Sequence, residues 1–381
     1  MQILLALASL VVIGLVLVDA FEAMVLPRRV TRAYRPARGY FRSMWTLWRA
    51  AACRLPPGKR RETFLGVFGP LSMLLLFCLW AFSLVFAFGV LHWSLATPMF
   101  LAHAEPVDLV TYLYFSGVTF FTLGFGDVSP VAPLGRFLAV AEAGTGFGFM
   151  AVIIGYLPVL SQAASQREIT ISLLDARAGS PPSAAEGLLR AARVGKIASV
   201  EPFFAEWERW AAPLLESHLS FPVLVYYRSQ HDNQSWLSAL ISVLDGCALF
   251  IAGVKDVNSY QAQLTFAMAR HALVDLALVL KIPPVASHEA RLSPERFQRL
   301  RELLAEAGVE LVDGQVEKRF ADLRAMYEPV AWALGERLMF ALPPILPDVR
   351  CLDNWQTSAW LGATPGIGDL PAAESRDEHF R

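Results

Sequence analysis

The sequence predicts an all-α membrane protein, and three observations carry that expectation. Of its 381 residues 55% are apolar and 18% charged, a balance too apolar for an ordinary soluble protein. Three stretches are long enough to cross a bilayer, because roughly 20 helical residues cover a hydrocarbon core about 30 Å thick. The formal net charge of −1 conceals a strong segregation: residues 28–61 hold eleven Lys/Arg and no acid, whereas the chain beyond Gln162 holds 21 basic and 27 acidic residues.

The first span is residues 1–26. Met1–Val18 is uncharged and continues apolar to Leu26, interrupted by Asp19 and Glu22. A cleaved signal peptide would begin with basic residues, but here the positive cluster follows the apolar run. Residues 27–62 form a basic linker. Arg29, Arg32, Arg35 and Arg38 recur at every third position, yet Pro36 and Gly39 are expected to break a helix there, which excludes a voltage-sensor reading. Tyr34, Tyr40, Trp45 and Trp48 interleave with the arginines, a composition suited to the headgroup level. Residues 28–61 therefore either bind anionic lipid or simply set topology. The positive-inside rule puts this linker and the C-terminus in the cytoplasm and the N-terminus outside. A bacterial plasma membrane is the expected location.

The second span, Thr63–Leu91, is uncharged throughout, and the third, Pro133–Leu160, contains Arg136 at its outer end and Glu142 inside. Val107–Phe121 lies between them. It is apolar apart from Asp108 but too short to cross, as expected of a helix that enters and returns. Directly after it comes Thr122-Leu-Gly-Phe-Gly-Asp127. Alternating glycines reach the φ/ψ values at which a Cβ is penalised, so the main chain can turn its carbonyls toward one axis and replace the water shell of a potassium ion. A second Gly-x-Gly-Asp, at Pro365–Asp369, has no apolar helix on either side and reads as a loop.

The stretch Tyr114-Phe-Ser-Gly-Val-Thr-Phe-Phe-Thr-Leu-Gly-Phe-Gly-Asp-Val-Ser-Pro130 resembles the potassium-channel pore family, in particular prokaryotic and two-pore-type channels with two helices around a pore loop. The resemblance runs over residues 64–160. It implies a helix–pore helix–filter–helix pore module at residues 63–163, with an extra N-terminal transmembrane helix and an all-α cytoplasmic domain. It also implies potassium sites built from the carbonyls of Thr122, Leu123, Gly124 and Phe125 with the Thr122 hydroxyl, completed by Gly126 and Asp127. One chain carries one such motif, so a closed ring implies a homotetramer with potassium as permeant ligand and no cofactor. Three positions depart from the pattern. Leu123 replaces a valine, Phe125 a tyrosine and Phe121 a threonine, which keeps a weakly selective cation pore or a non-conducting scaffold open as alternatives.

Glu142 is costly at membrane depth. It is expected either near the cavity or behind the filter, or else hydrogen-bonded to Ser116 or Thr119. Gly144, Gly146, Gly148 and Gly155 lie on the same helix. Gly148 or Gly155 is the candidate hinge, and close helix packing is the other explanation for all four.

Residues 164–345 read as an all-helical cytoplasmic domain, with helices expected over Pro202–Ser217, Trp236–Val254, Gln261–Leu280, Ser293–Ala307 and Gln315–Ala341. Asn233 or Ser235 is placed to cap the second of these. Asp245 at its centre argues for a buried helix rather than a fourth span. Residues 346–381 form a tail, disordered from Pro365. Cys53, Cys78, Cys247 and Cys351 are far apart and show no metal or disulfide spacing. No catalytic constellation, nucleotide fingerprint or nucleic-acid patch is evident, so neither an enzyme nor a nucleic-acid partner is expected.

Overall fold

The computed structural model describes residues 1–26, 35–102, 106–179, 181–193, 195, 197, 200–230, 234–286, 291–312 and 314–348, with the backbone of 357–358 and 362–363. Arg29, Arg32, Tyr34, Asn233, Cys351 and the segment from Pro365 lie outside the described residues. The chain divides into two compact units, one made of Met1–Ala50 and Val67–Gln162, the other of Ala51–Gly66 and the residues from Ala163 onward. The elements of both units are almost entirely helices.

In the first unit α1 (Gln2–Met24) exposes Ile3, Leu4, Leu7 and Val11. Its two acids, which interrupt the apolar run, are both employed. Asp19 is buried and accepts the Ala37 backbone N–H at 3.0 Å and the Trp80 indole N–H at 3.1 Å. The Glu22 carboxylate pairs with Arg35, Oε2 to Nε at 3.6 Å, and Arg35 also donates to the Glu22 backbone carbonyl at 3.2 Å. Ala37 belongs to the first turn of α2 (Pro36–Ala52), so Asp19 caps α2 from another helix and meets the positive end of its dipole.

That helix corrects one expectation. Pro36 does not break a helix but begins one, because proline lacks only an N–H that the first turn leaves unpaired anyway. Gly39 then sits inside the first turn. Trp45 is buried within the protein, with its ring centroid 4.9 Å from that of Phe68.

Helix α3 (Lys59–Ser94) and helix α5 (Pro133–Ala178) are the long spans. At about 1.5 Å per residue both exceed a bilayer core, and each continues past its apolar stretch as a charged helix. Between them lie β1 (Met99–Leu101), the short helix α4 (Leu109–Phe120) and β2 (Val128–Pro130). The two strands pair antiparallel, Met99 with Pro130, Phe100 with Ser129 and Leu101 with Val128. This hairpin-like clasp has no counterpart in the sequence reading. Gly89 of α3 is where α4 comes closest: a Cβ there would stand 2.7 Å from the Leu113 side chain and 3.1 Å from its Cα.

The second unit contains α6 (Ala184–Arg193), α7 (Val200–Ser220), a 3-10 turn at Pro222–Tyr226, α8 (Trp236–Gly253), α9 (Tyr260–Leu280), α10 (Pro294–Glu306), α11 (Val316–Ala325) and α12 (Glu328–Leu338). By length and composition α8 and α9 could cross a membrane, but 89% of the α8 window is buried inside the protein. Asp245 at its centre is bound bidentately by Arg291 at 3.1 and 2.5 Å and accepts the Tyr327 hydroxyl at 2.5 Å. The carboxylate is thus neutralised in a protein interior, which explains its place in so apolar a helix. Ser235 caps α8 and Ser293 caps α10 through their hydroxyls. The single helix expected over Gln315–Ala341 is two. Pro329 has no N–H to give to the carbonyl four residues earlier, so the helix stops at Ala325 and restarts with Pro329 in its first turn.

Candidate filter and its supports

Helix α4 starts at a capping box. The Asp108 carboxylate accepts the Thr111 N–H at 2.9 Å, and the Thr111 hydroxyl faces back to the Asp108 N–H. At its other end the helix unwinds through three turn bonds, Phe121 N–H to the Gly117 carbonyl, Thr122 to Thr119 and Leu123 to Val118, all at 2.9–3.0 Å. The backbone then alternates. Thr122, Gly124 and Gly126 have φ of 56°, 63° and 78°, whereas Leu123 and Phe125 are outside the positive region. Glycine adopts such values freely, and a threonine at the same φ costs about 1–2 kcal/mol. Alternation of this kind lets successive carbonyls face one side, with the negative end of α4 behind them.

Among the described residues, none covers the segment. Residues 121–126 are all exposed, Leu123 by 57% and Phe125 by 66%. A Cβ on Gly124 or Gly126 would meet no atom within 4 Å. Irregular main chain at membrane depth is tolerable only where protein or a water-filled passage surrounds it.

The outer end of the segment is tied down. Tyr114 donates its hydroxyl to the Asp127 carboxylate at 2.8 Å, and the Asp127 carbonyl accepts the Ala102 N–H at 2.9 Å. Strand β2 follows at once and pairs with β1. Tyr114 was missed as a functional residue, although it opens the stretch that carries the resemblance. A tyrosine thirteen positions before the aspartate signals nothing until the loop has folded back.

Behind α4, Glu142 of α5 is fully buried rather than facing a cavity. It bonds to the Ser116 hydroxyl, whose oxygen also lies 2.7 Å from the Val85 carbonyl. His92 of α3, placed by sequence in the outer segment, is buried here too, with Nε2 3.8 Å from Glu142 Oε2 and Nδ1 3.3 Å from the Thr97 hydroxyl. Thr119 is not a partner of Glu142; it supplies its carbonyl to the turn after α4. A serine hydroxyl carries one proton, so Ser116 cannot donate to both Val85 and Glu142. The arrangement is satisfied when the Glu142 carboxyl carries the other proton, donating to Ser116 while Ser116 donates to Val85.

The glycines of α5 separate into two kinds. A Cβ on Gly146 would collide with the Phe120 carbonyl at the end of α4, so Gly146 is a close-approach glycine. Gly144, Gly148 and Gly155 meet nothing within 4 Å. Sequence spacing puts Gly146 on a different face from Gly144, Gly148 and Gly155, but does not say which face meets α4.

A family model described as "Ion channel" matches residues 73–160, which take in most of α3, all of α4 with the segment after it, and α5 as far as Leu160. YdjJ, an uncharacterized membrane protein of Bacillus subtilis (strain 168), is 27% identical over 219 residues, covering 56% of this chain and 61% of that protein. Protein LctB of Geobacillus stearothermophilus is 50% identical over 42 residues, 11% of this chain and 31% of that protein. The chain thus matches about three fifths of the first relative's length and about a third of the second's. No solved structure matches it.

Proposed function

We propose that this multi-pass membrane protein, with its ion-channel pore segment, is one subunit of a homotetrameric channel that passes potassium down its electrochemical gradient. The observation that carries the reading is the glycine-spaced main chain at 122–126, positive in φ at alternate residues and uncovered by its own chain. Four copies around an axis would bury that backbone and direct the carbonyls of Thr122, Leu123, Gly124 and Phe125, with the Thr122 hydroxyl, toward permeating ions. Gly126 and Asp127 would complete the outer end. Ser116 and Glu142 would hold α4 from behind, and Gly148 or Gly155 would let the lower part of α5 bend.

The basic linker and α2 would lie against the cytoplasmic face of a bacterial plasma membrane, exposing Arg42 and Leu47 in a position to meet anionic headgroups. The N-terminus would then be outside and residues 164–345 cytoplasmic. One observation favours a less selective cation pore: Phe125 has no hydroxyl with which to fasten the filter sideways. Recording from the purified protein in bilayers, with potassium exchanged for sodium, tests the proposal and separates the two. Potassium-selective current supports it. Equal permeability would make the protein a general cation channel, and silence from intact tetramers would reject conduction.

A further inference from the structure

Beyond the bilayer-length part of α5, the helix continues without a break to Ala178. One face of this continuation packs on its own unit: Arg167, Ile171, Leu174, Asp175 and Ala178 are buried. The opposite face carries Gln162, Gln166, Ile169, Leu173 and Ala176, all exposed. Ile169 is 61% and Leu173 49% exposed. The steps between these five residues are four, three, four and three, the spacing of a coiled-coil seam. In that register Gln166 and Leu173 occupy a positions, and Gln162, Ile169 and Ala176 occupy d positions.

We propose that this seam packs against the same seam of three other copies, forming a short parallel four-stranded coiled coil. The inference rests on the tetrameric reading above and adds to it a second, cytoplasmic interface. The committed occupant is a second copy of the chain, for three reasons. The register points to it, since leucine at a with isoleucine at d shifts parallel coils away from dimers toward trimers and tetramers. Charge agrees: the flanking positions are Ala163, Ser165, Thr170, Ser172 and Arg177, and the acids Glu168 and Asp175 lie on other faces. Continuity agrees as well, because the same helix follows a filter segment that one chain leaves unenclosed, so any ring that closes the filter gathers four copies of α5. Two heptads are too few to hold together alone, but the membrane-anchored pore would tether them at millimolar effective concentration. The glutamine layers above the apolar ones would fix the register at some cost in stability.

The test is cysteine cross-linking in native membranes, in a full-length chain carrying Cys53→Ser, Cys78→Ser, Cys247→Ala and Cys351→Ser. Leu173→Cys and Ile169→Cys are oxidised with copper phenanthroline and compared with Glu168→Cys, which lies on another face of the helix, while light scattering on each purified variant reports the number of subunits. Strong cross-linking at 173 and 169 but not at 168, in tetrameric protein, is the expected result. Tetramers that cross-link at 168 as readily, or not at all at 169 and 173, would overturn the coiled coil and leave the channel reading intact. Protein that is not tetrameric would overturn both.

Discussion

Tyr114 and Asp127, thirteen residues apart in sequence, are joined by a 2.8 Å hydrogen bond from phenol to carboxylate. The bond ties the middle of α4 to the residue that ends the glycine-spaced segment. With phenylalanine at position 125 the proposed filter has no hydroxyl at that position, and this contact is positioned to take over the lateral fastening.

Tyr114→Phe is therefore expected to lower potassium-over-sodium selectivity while leaving assembly unchanged. Tyr114 is solvent-accessible in the single chain, so losing the bond should loosen this end of the segment without unfolding the module. Reversal potentials under mixed-ion conditions measure the effect. An unaltered permeability ratio in Tyr114→Phe would show that Asp127 is held by other contacts.

Glu142→Gln should be well tolerated, because a glutamine amide keeps a donor facing Ser116 and adds no charge. Glu142→Ala and Ser116→Ala should each cost about 1–3 kcal/mol, the usual penalty for leaving a buried polar partner unsatisfied. Thermal denaturation in detergent compares the three. The protonated-acid arrangement fails if Glu142→Gln is as damaging as Glu142→Ala.

The two kinds of glycine on α5 should part company under mutation. In Gly146→Ala the new methyl would run into the Phe120 carbonyl, and overpacking of this sort costs about 1–3 kcal/mol. Gly148→Ala faces open space in the subunit and should retain folding, with any change confined to opening. Yield and melting temperature of the purified variants decide this; equal stability of the two would remove the close-contact assignment.

In the second unit His218 should make stability depend on pH. Arg167 lies 3.2 Å from its Nε2, and Nδ1 is 2.8 Å from the Leu214 carbonyl, a geometry that suits the neutral ring. Burial first, and then the Arg167 charge, hold its pKa well below the ordinary 6.5. The unfolded chain thus binds a proton that the folded chain refuses. Stability should be constant above neutrality and fall as pH drops below about 6.5, by up to about 1.4 kcal/mol per pH unit from this group. Tryptophan fluorescence, to which Trp236 contributes with its ring centroid 5.5 Å from that of His218, would follow the unfolding. A His218→Gln variant showing the same acid dependence would assign the effect elsewhere.

Much of this architecture was legible because its signals are local. Long apolar runs announce α1, α3 and α5, and two glycines separated by one residue, set between apolar helices, announce the segment at 122–126. Asp245 could be read as buried rather than lipid-facing from its position alone. Its partners Arg291 and Tyr327 could not, because they come from distant parts of the chain. The same holds behind α4. Glu142 was visibly costly at membrane depth, and Ser116 was one of the two hydroxyls expected to meet it, but nothing in sequence says that Val85 and His92 complete its surroundings. Pro36 misled for a different reason, since proline ends one helix and opens another with equal ease, and only the Asp19 cap from α1 shows which occurs.

The most direct test of the channel account is current through purified tetramers in a planar bilayer, with wild type set beside Gly124→Ala and Gly126→Ala. A Cβ at these positive φ values costs about 1–2 kcal/mol per residue and should distort the carbonyl ladder. The account predicts potassium-selective current from wild type and its loss, or loss of selectivity, in both variants. Current of unchanged size and selectivity in the alanine variants would contradict it.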